Sequence, residues 1–149
     1  MDNPEIEVLL ATYNGARFLD AQIESLLRQR GVSLRILVRD DGSTDDTPDI
    51  IERYRRSMPE SFVVLASTGN LGAVRNFATL LEYSHAPYVA LCDQDDVWMP
   101  HKLSVLVGAL REMEARYGSE TPLLVHSDLR VVDEEPLRFH LSEGWRRLS

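Results

Sequence analysis

The sequence predicts an α/β domain in which helices flank a largely parallel sheet. Short apolar runs that end in polar turns alternate with longer segments whose apolar residues recur at helical spacing. Polar and acidic residues follow several of these runs directly, as they do at the carboxyl ends of strands in open α/β sheets. A chain of 149 residues, 44% of them hydrophobic, can bury one substantial core, so we expect a single globular domain.

Five strands and four helices are expected along the chain. The apolar runs predict strands at 6–11, 34–38, 62–66, 87–92 and 123–126. Helical spacing and turn residues predict helices over 18–29, from 43–48 onward, after 69–72 and after Pro100. The helix residues expected to face the core are Leu19, Ile23, Leu26, Leu27, Ile50, Ile51, Tyr54, Val74, Phe77, Ala78, Leu81, Leu103, Leu106, Leu110, Met113 and Tyr117.

The composition excludes several classes of protein. A net charge of −8 and a pI near 4.9 argue against a nucleic-acid binder, which needs clustered Lys and Arg. The single cysteine, Cys92, cannot form an internal disulfide, which fits a reducing compartment. No apolar stretch approaches the roughly 20 residues of a membrane span. We therefore expect a cytoplasmic location, with contact at the inner face of a membrane only through parts not present in this chain.

Three carboxylates, those of Asp93, Asp95 and Asp96, stand within four positions after the fourth predicted strand. Carboxylates this close repel one another unless a positive charge lies among them. Mg²⁺ and Mn²⁺ prefer oxygen ligands, usually one or two carboxylates completed by phosphates and water. Asp93 and Asp95 can both serve a metal if the chain turns there. The alternative is a solvated acidic turn that caps the next helix.

Residues after the first two strands indicate a base-binding site. A carboxylate in the Asp-Asp-Gly-Ser segment at 40–43 could accept the imide N–H of a uracil or thymine, and Tyr13 could stack on the same base. Both features have a structural alternative. The segment is also typical of an ordinary strand-to-helix turn, and Tyr13 could be an amphipathic residue at a sheet edge.

Other motifs are weaker signals. Asn70 and Gly72, followed by Arg75, are typical of a helix start that faces a phosphate, although an arginine on an exposed helix face is common. Trp98 is expected to be a packing anchor beside the acidic turn. The sequence His-Ser-Asp at 126–128 suggests a catalytic triad, but His and Asp two apart on one strand share a face without a placed nucleophile.

Together these segments resemble the family 2 glycosyltransferases of the GT-A fold, particularly the bacterial rhamnosyltransferase-like branch that assembles polysaccharides. The matching segments occur in the family's order at 9–15, 39–45, 69–72 and 91–98. The resemblance implies a Rossmann-like, three-layer α/β/α nucleotide-sugar-binding domain over residues 1–135. Residues 136–149 would be a tail or the start of a truncated acceptor-side segment.

The resemblance also implies an activity and its site. The donor would be a UDP- or dTDP-linked sugar, transferred with inversion to a glycan or lipid-linked acceptor. Asp95 would bind Mg²⁺ or Mn²⁺ directly, and Asp93 would contact the ribose or the water shell of the metal. The residues expected to bind the donor are Thr12, Tyr13, Asn14, Asp41, Asn70, Gly72, Arg75 and Asp93.

The general base is expected outside this chain, because family members continue through an acceptor-binding segment that carries it. Asp128 is the only late carboxylate that we name as an acceptor-side candidate. The chain alone is then expected to bind the donor without being competent for transfer. Self-association through an exposed apolar face stays open.

Two other functions compete with this interpretation. One is a non-catalytic module of the same fold that binds a nucleotide or another protein. The other is a haloacid-dehalogenase-like phosphohydrolase, because residues 93–97 fit its DxDx[TV] motif. That motif belongs after an early strand and needs a later lysine and acidic pair, which disfavours it here. A dinucleotide oxidoreductase is disfavoured because no Gly-x-Gly-x-x-Gly follows the first strand.

Overall fold

A computed structural model of the protein describes residues 5–67, 69–129 and 131. Its elements in chain order are β1 (Ile6–Thr12), α1 (Ala16–Leu27), β2 (Leu34–Asp40), α2 (Thr47–Ser57), β3 (Phe62–Val64), α3 (Ala73–Tyr83), β4 (Tyr88–Cys92) and α4 (Lys102–Tyr117). The strands form one parallel sheet in the order β3-β2-β1-β4. The predicted α/β class is confirmed.

Helices cover both faces of the sheet. On one face, α1, α2 and α4 bury an apolar cluster against alternate strand residues such as Val8 and Val38. On the other face, α3 packs Leu80 against Leu9 and Leu37. Because successive side chains of a strand point to opposite faces, the nearly continuous apolar strands supply both cores. This is the three-layer α/β/α arrangement that the sequence predicts.

The register of the sheet brings the strand ends to one edge. In β1, Leu10 pairs with Val38 on one side and with Cys92 on the other, and Thr12 pairs with Asp40. Since all pairs are parallel, the segments that follow β1, β2 and β4 leave the sheet at the same edge. The polar turns that the sequence analysis singled out therefore begin side by side.

One strand residue, Glu7, carries a charge into the α3 side of the sheet. Its side chain is fully buried, and its carboxylate accepts hydrogen bonds from Arg35, the Ser84 hydroxyl and the amides of His85 and Ala86. Burial alone would raise the pKa of Glu7, but these donors outweigh it, and the pKa is lowered. Glu7 therefore ties the loop before β4 to the centre of the sheet.

The face of α3 that meets the sheet differs from the prediction. Val74 and Leu81, predicted to face the core, are 84% and 45% exposed, Ala78 is also exposed, and Asn76 and Leu80 are buried instead. The physical reason is a polar contact made by Asn76. The Asn76 side chain bonds to a buried arginine of β2, which turns the helix away from the register that apolar residues alone suggest.

Three smaller expectations are also wrong. Leu27 and Tyr117 are 43% and 53% exposed, and the fully buried residues of α4 are Leu103 and Val107. The strand expected at 123–126 is absent, because residues 122–129 are irregular and Leu124 is 84% exposed. In the described residues this run has no hydrogen-bonded neighbour, and a strand needs one. The expected tail at 136–149 lies outside the described residues.

No helix in the described part of the chain has both the length and the apolar character needed to cross a bilayer.

Candidate functional site

Four polar segments meet at the carboxyl edge of the sheet, at 12–15, 40–47, 69–72 and 93–96. Hydrogen bonds join them, among them those of the Asn14 amide to Ser43 Oγ at 2.8 Å, the Tyr13 amide to Gln94 Oε1 at 2.9 Å, and the Leu71 amide to Asp41 Oδ1 at 2.8 Å. The predicted convergence of the turns is confirmed. The chemical roles assigned to their residues stay predictions.

The turn after β1 is fixed by hydrogen bonds to residues 43–47, which lie before α2 and at its first position. Asn14 adopts a left-handed backbone conformation (φ 47°), which asparagine tolerates, and its Oδ1 accepts the Thr44 amide at 2.8 Å. The amides of Gly15 and Ala16, at the start of α1, donate to Thr47 Oγ1 and to an Asp45 oxygen. These amides of the helix terminus are therefore satisfied inside the protein.

At the end of β2, Asp40 remains partly accessible. It accepts the Ser43 amide at 2.9 Å, the Ser43 hydroxyl at 2.5 Å and the hydroxyl of Thr12 at 3.4 Å. Thr12 itself is only 2% exposed, so it braces Asp40 rather than facing solvent. Asp40 also borders an open cleft of about 440 Å³ that α2 forms with the end of β3, near Pro48 and Ser67.

Asp41 has the opposite environment. It is 3% exposed and forms an ion pair of 2.8 Å with Arg39, which is 1% exposed. The amides of Leu71 and Gly72 also donate to its two oxygens, each at 2.8 Å. Burial would raise the pKa of Asp41, but these amides and the guanidinium outweigh it, and the pKa is lowered.

This geometry argues against the direct base contact predicted for Asp41. Three protein donors already occupy its carboxylate, and a ligand imide would have to reach a side chain that is 4% exposed. Its position makes it the anchor of the segment at 69–72. Asp40, one residue earlier, also accepts three protein hydrogen bonds, but it is partly exposed, so it is the carboxylate of this turn that a ligand can reach.

Arg39 completes a buried network behind Asp41. Its guanidinium also donates to Asn76 Oδ1 at 3.1 Å and to the carbonyl of Gly69 at 3.3 Å, and Asn76 in turn donates to the Arg39 carbonyl. The network links the end of β2, the segment at 69–72 and the first turns of α3. Sequence reasoning missed Arg39 and Asn76. The available signal for Arg39 was a charged residue directly after the apolar run at 36–38.

The predicted phosphate-facing residues lie beside this network. Gly72 has a φ of +80°, which favours glycine, and it is the N-cap of α3. Asn70, Gly72 and Arg75 are all exposed, and Arg75 stands in the first turn of α3. Gly42 passes close by, since a Cβ built on it would lie 3.5 Å from the Asn70 nitrogen. The segment at 69–72 is therefore held by Arg39 and Asp41 on its buried side, while Asn70 and Gly72 remain exposed to solvent.

The acidic turn after β4 carries the repulsion that its sequence predicts. Asp93, Asp95 and Asp96 are exposed, and the pKa of Asp93 is raised, first by burial and then by the charges of Asp96 and Asp95. Among the described residues, no group of three acidic, histidine or cysteine side chains is arranged to hold a metal ion. The oxygen donors fit a hard cation that takes its remaining ligands from phosphate and water.

Gln94 stands between these carboxylates and faces the other way. Its Oε1 accepts the Tyr13 amide at 2.9 Å, and its Nε2 donates to the Tyr13 carbonyl at 3.1 Å. The Tyr13 side chain is 48% exposed, so its ring is free to meet a ligand. The sequence alone predicted no contact for Gln94.

Trp98 is the packing anchor that the sequence predicts. It is 6% exposed, its amide donates to Ser25 Oγ at 3.0 Å, and the Lys102 ammonium lies 4.1 Å from the centre of its ring. Asp128 lies in the irregular segment 122–129, where it accepts the amide of Leu129 at 2.9 Å. Its acceptor-side role stays a prediction.

The model of the family described as "Glycosyl transferase family 2" matches residues 7–118, which include all four segments of the site. The chain belongs to glycosyl transferase family 2. The dTDP-rhamnosyl transferase RfbG of Shigella flexneri is 33% identical over 105 residues, which cover 68% of this chain and 36% of RfbG. The chain thus spans about a third of the length of this relative.

Two solved structures have a similar fold. TarS residues 1–349 of S. aureus in complex with UDP matches with a TM-score of 0.64 and 25% identity, over 72% of this chain and 32% of TarS. The mannosyltransferase PcManGT of Pyrobaculum calidifontis, in complex with GDP-Man and Mn²⁺, matches with a TM-score of 0.64 at 24% identity, over 71% of this chain and 32% of that one. The GT-A architecture is therefore shown for this family 2 chain.

Proposed function

We propose that this chain binds the nucleotide-diphosphate sugar donor of a metal-assisted, inverting glycosyltransferase. The observation that carries the proposal is the convergence of Tyr13, Asp40, the segment at 69–72 and the acidic turn at one edge of the sheet. A base, a diphosphate and a cation are the three chemical groups that these four segments can recognise. The complexes of TarS with UDP and of PcManGT with GDP-Man and Mn²⁺ support the assignment.

The base would stack on the exposed ring of Tyr13 at the end of β1. We propose that Asp40 accepts its imide N–H, while Asp41 acts indirectly by holding the segment at 69–72. Uracil and thymine present the same imide edge, so both UDP and dTDP fit this contact. Thr12 and Asn14 would support the site through the bonds they make to the turn after β2.

The diphosphate would lie between the segment at 69–72 and the acidic turn. Arg75 projects from the first turn of α3, where its guanidinium can pair with a phosphate, and Asn70 and Gly72 border the same space. Asp95 and Asp93 would hold Mg²⁺ or Mn²⁺. When bound, the cation supplies neutralisation of the charge that develops on the departing nucleoside diphosphate.

In this proposal the chain's own residues orient the donor and neutralise its phosphates, which is the donor side of a transfer reaction. The acceptor side needs a general base that removes the proton from the acceptor hydroxyl. Among the described residues, we name Asp128 as the candidate for this acceptor-side role. From the family resemblance, we propose a glycan or lipid-linked acceptor. From the single cysteine, which fits a reducing compartment, we propose a cytoplasmic location, with contact at the inner face of a membrane made through other parts of the enzyme.

The test is calorimetric titration with UDP and dTDP, each with and without Mn²⁺. On the wild type, Mn²⁺ is expected to strengthen nucleotide binding about tenfold or more, and Asp95→Ala is expected to remove that gain, because it deletes the proposed direct ligand. Glu60→Ala is the matched control. It deletes the same charge at an exposed turn before β3, at the opposite end of the sheet, and should leave the gain intact.

Two results would overturn the proposal. One is binding that Mn²⁺ does not strengthen in the wild type, and the other is no binding with either nucleotide. Equal losses in Asp95→Ala and Glu60→Ala would assign the effect to net charge rather than to a site.

A further inference from the structure

We propose that Gln94 is a positioning residue that couples the cation-binding turn to the nucleotide-binding turn. Its side chain makes two hydrogen bonds with the backbone of one residue. Gln94 Oε1 accepts the Tyr13 amide at 2.9 Å, and Nε2 donates to the Tyr13 carbonyl at 3.1 Å. The bonds span 81 positions of sequence and join the segment after β4 to the segment after β1. This inference rests on the proposed function.

The amide chemistry of Gln94 suits this task. A neutral carboxamide donates and accepts at once, so it can satisfy both polar groups of Tyr13. A glutamate could accept the Tyr13 amide, but it could not donate to the carbonyl. It would also add a fourth negative charge to a turn that already carries the carboxylates of Asp93, Asp95 and Asp96. Gln94 is half-buried while its acidic neighbours are exposed, which matches an inward-facing role.

Gly15 provides an independent observation. Its backbone (φ −103°, ψ 8°) is one that other residues adopt, so conformational freedom does not explain a glycine there. A Cβ built on Gly15 would lie 2.2 Å from Gln94 Oε1 and 2.5 Å from its Cδ. Real Cβ atoms do not approach so closely, so any side chain at position 15 would displace Gln94. The glycine leaves the space that the Gln94 amide occupies.

The consequence is mechanical coupling between two halves of the site. The Tyr13 backbone is fastened to the residue between Asp93 and Asp95. A cation that draws these carboxylates together therefore acts on the position of the Tyr13 ring. Conversely, a base stacked on Tyr13 favours one arrangement of the acidic turn. By linkage, each ligand strengthens binding of the other by the same factor.

The test compares the metal gain, the ratio of the UDP or dTDP Kd without Mn²⁺ to that with Mn²⁺, in matched variants. Gln94→Met keeps the length of the side chain but removes both hydrogen bonds. It is expected to reduce the metal gain about fivefold, the equivalent of one ordinary hydrogen bond. Metal-free nucleotide binding should change by less than about twofold, a split that general loosening of the fold would not produce.

A second set of variants uses Gly15. Gly15→Ala should reduce the metal gain as Gln94→Met does, and it should have no further effect in a Gln94→Ala background, where the clashing atoms are gone. Gly108→Ala is the matched control. Gly108 lies in α4, a Cβ there would meet nothing within 4 Å, and the metal gain should be unchanged.

The outcomes separate this inference from the proposed function. A wild type with no metal gain overturns both. A normal gain in the wild type that survives Gln94→Met overturns the coupling role alone. Additive effects of Gly15→Ala and Gln94→Ala would refute the argument that the glycine exists to accommodate Gln94.

Discussion

The ion pair between Arg39 and Asp41 gives the sharpest test of the site's construction. Asp41→Asn keeps the shape of the side chain and removes its charge. Arg39, 1% exposed, would then remain charged with only neutral acceptors as partners: Asn76 Oδ1, the Gly69 carbonyl and the carboxamide oxygen of the substituted side chain. Because a buried charge without its counter-ion is costly, we expect a large loss of stability from a nearly isosteric change.

The magnitude follows from the contacts. Breaking a buried ion pair from one side typically costs about 3–5 kcal/mol. The neutral acceptors that Arg39 retains put the expected value near the lower end, about 3 kcal/mol. For a domain of this size, that corresponds to a fall in Tm of roughly 6–12 °C. Removing the arginine charge as well, in the double variant Arg39→Met/Asp41→Asn, should recover at least about 1 kcal/mol of the lost stability.

Urea unfolding followed by circular dichroism measures this loss as a lower midpoint with an unchanged m-value. Its pH dependence is a second readout. The pKa of Asp41 is lowered in the folded state from an ordinary value of 3.8. Its contribution is therefore complete above pH 3.8 and is lost as the pH falls through the lowered pKa. The difference between wild type and Asp41→Asn should shrink as the pH is brought from 5 towards 2.

Asp49→Asn is the control, because it removes an exposed carboxylate in the first turn of α2 and should change stability by less than about 0.5 kcal/mol. A loss below about 1 kcal/mol for Asp41→Asn would refute the buried-pair argument. If nucleotide binding were lost while stability stayed at the wild-type value, Asp41 would be a direct ligand contact, as its motif predicts, and not the anchor of the segment at 69–72.

Two further predictions concern the core. Leu80→Ala should lower the free energy of unfolding by about 2–5 kcal/mol, because Leu80 is fully buried. Leu81→Ala, at a side chain that is 45% exposed, should lower it by less than about 1 kcal/mol. Similar losses for the two variants in urea unfolding would contradict the observed burial of Leu80 and exposure of Leu81 on α3. Burial is the main cause that raises the pKa of the Cys92 thiol to about 12. The thiol should therefore react with a thiol-specific chromogenic disulfide at pH 8 only as fast as the protein unfolds. The urea-unfolded chain is the control, and a native thiol that reacts as fast as the unfolded one would refute the buried assignment.

Much of the site could be predicted because its parts are local in sequence. The acidic turn, the turn at 40–43 and the segment at 69–72 each follow an apolar run or precede a helix, and the turns after parallel strands must share one edge. The repulsion within the acidic turn is also local, since burial first and then the charges of the neighbouring Asp96 and Asp95 raise the pKa of Asp93. The family resemblance rests on the same segments and is confirmed by the family match over residues 7–118.

The helix faces were harder to predict, because apolar spacing alone decided them. On α1, Leu19, Ile23 and Leu26 are buried as predicted, since apolar packing governs that helix. On α3, a polar contact outweighs the apolar stripe, so Asn76 takes a buried position and Val74 points to solvent. A hydrophobic pattern cannot include a partner that lies 37 positions away in the chain.

The sequence by itself determined the fold class, the family and the four segments of the site, because period, turn residues and strand ends are written in short stretches of chain. Only the tertiary structure decided what individual side chains do there. Asp40 and Asp41 are adjacent and identical in sequence, yet one reaches solvent and the other is buried against Arg39. Gln94 contacts Tyr13 across 81 positions. Such distinctions depend on contacts that form only when distant segments pack together.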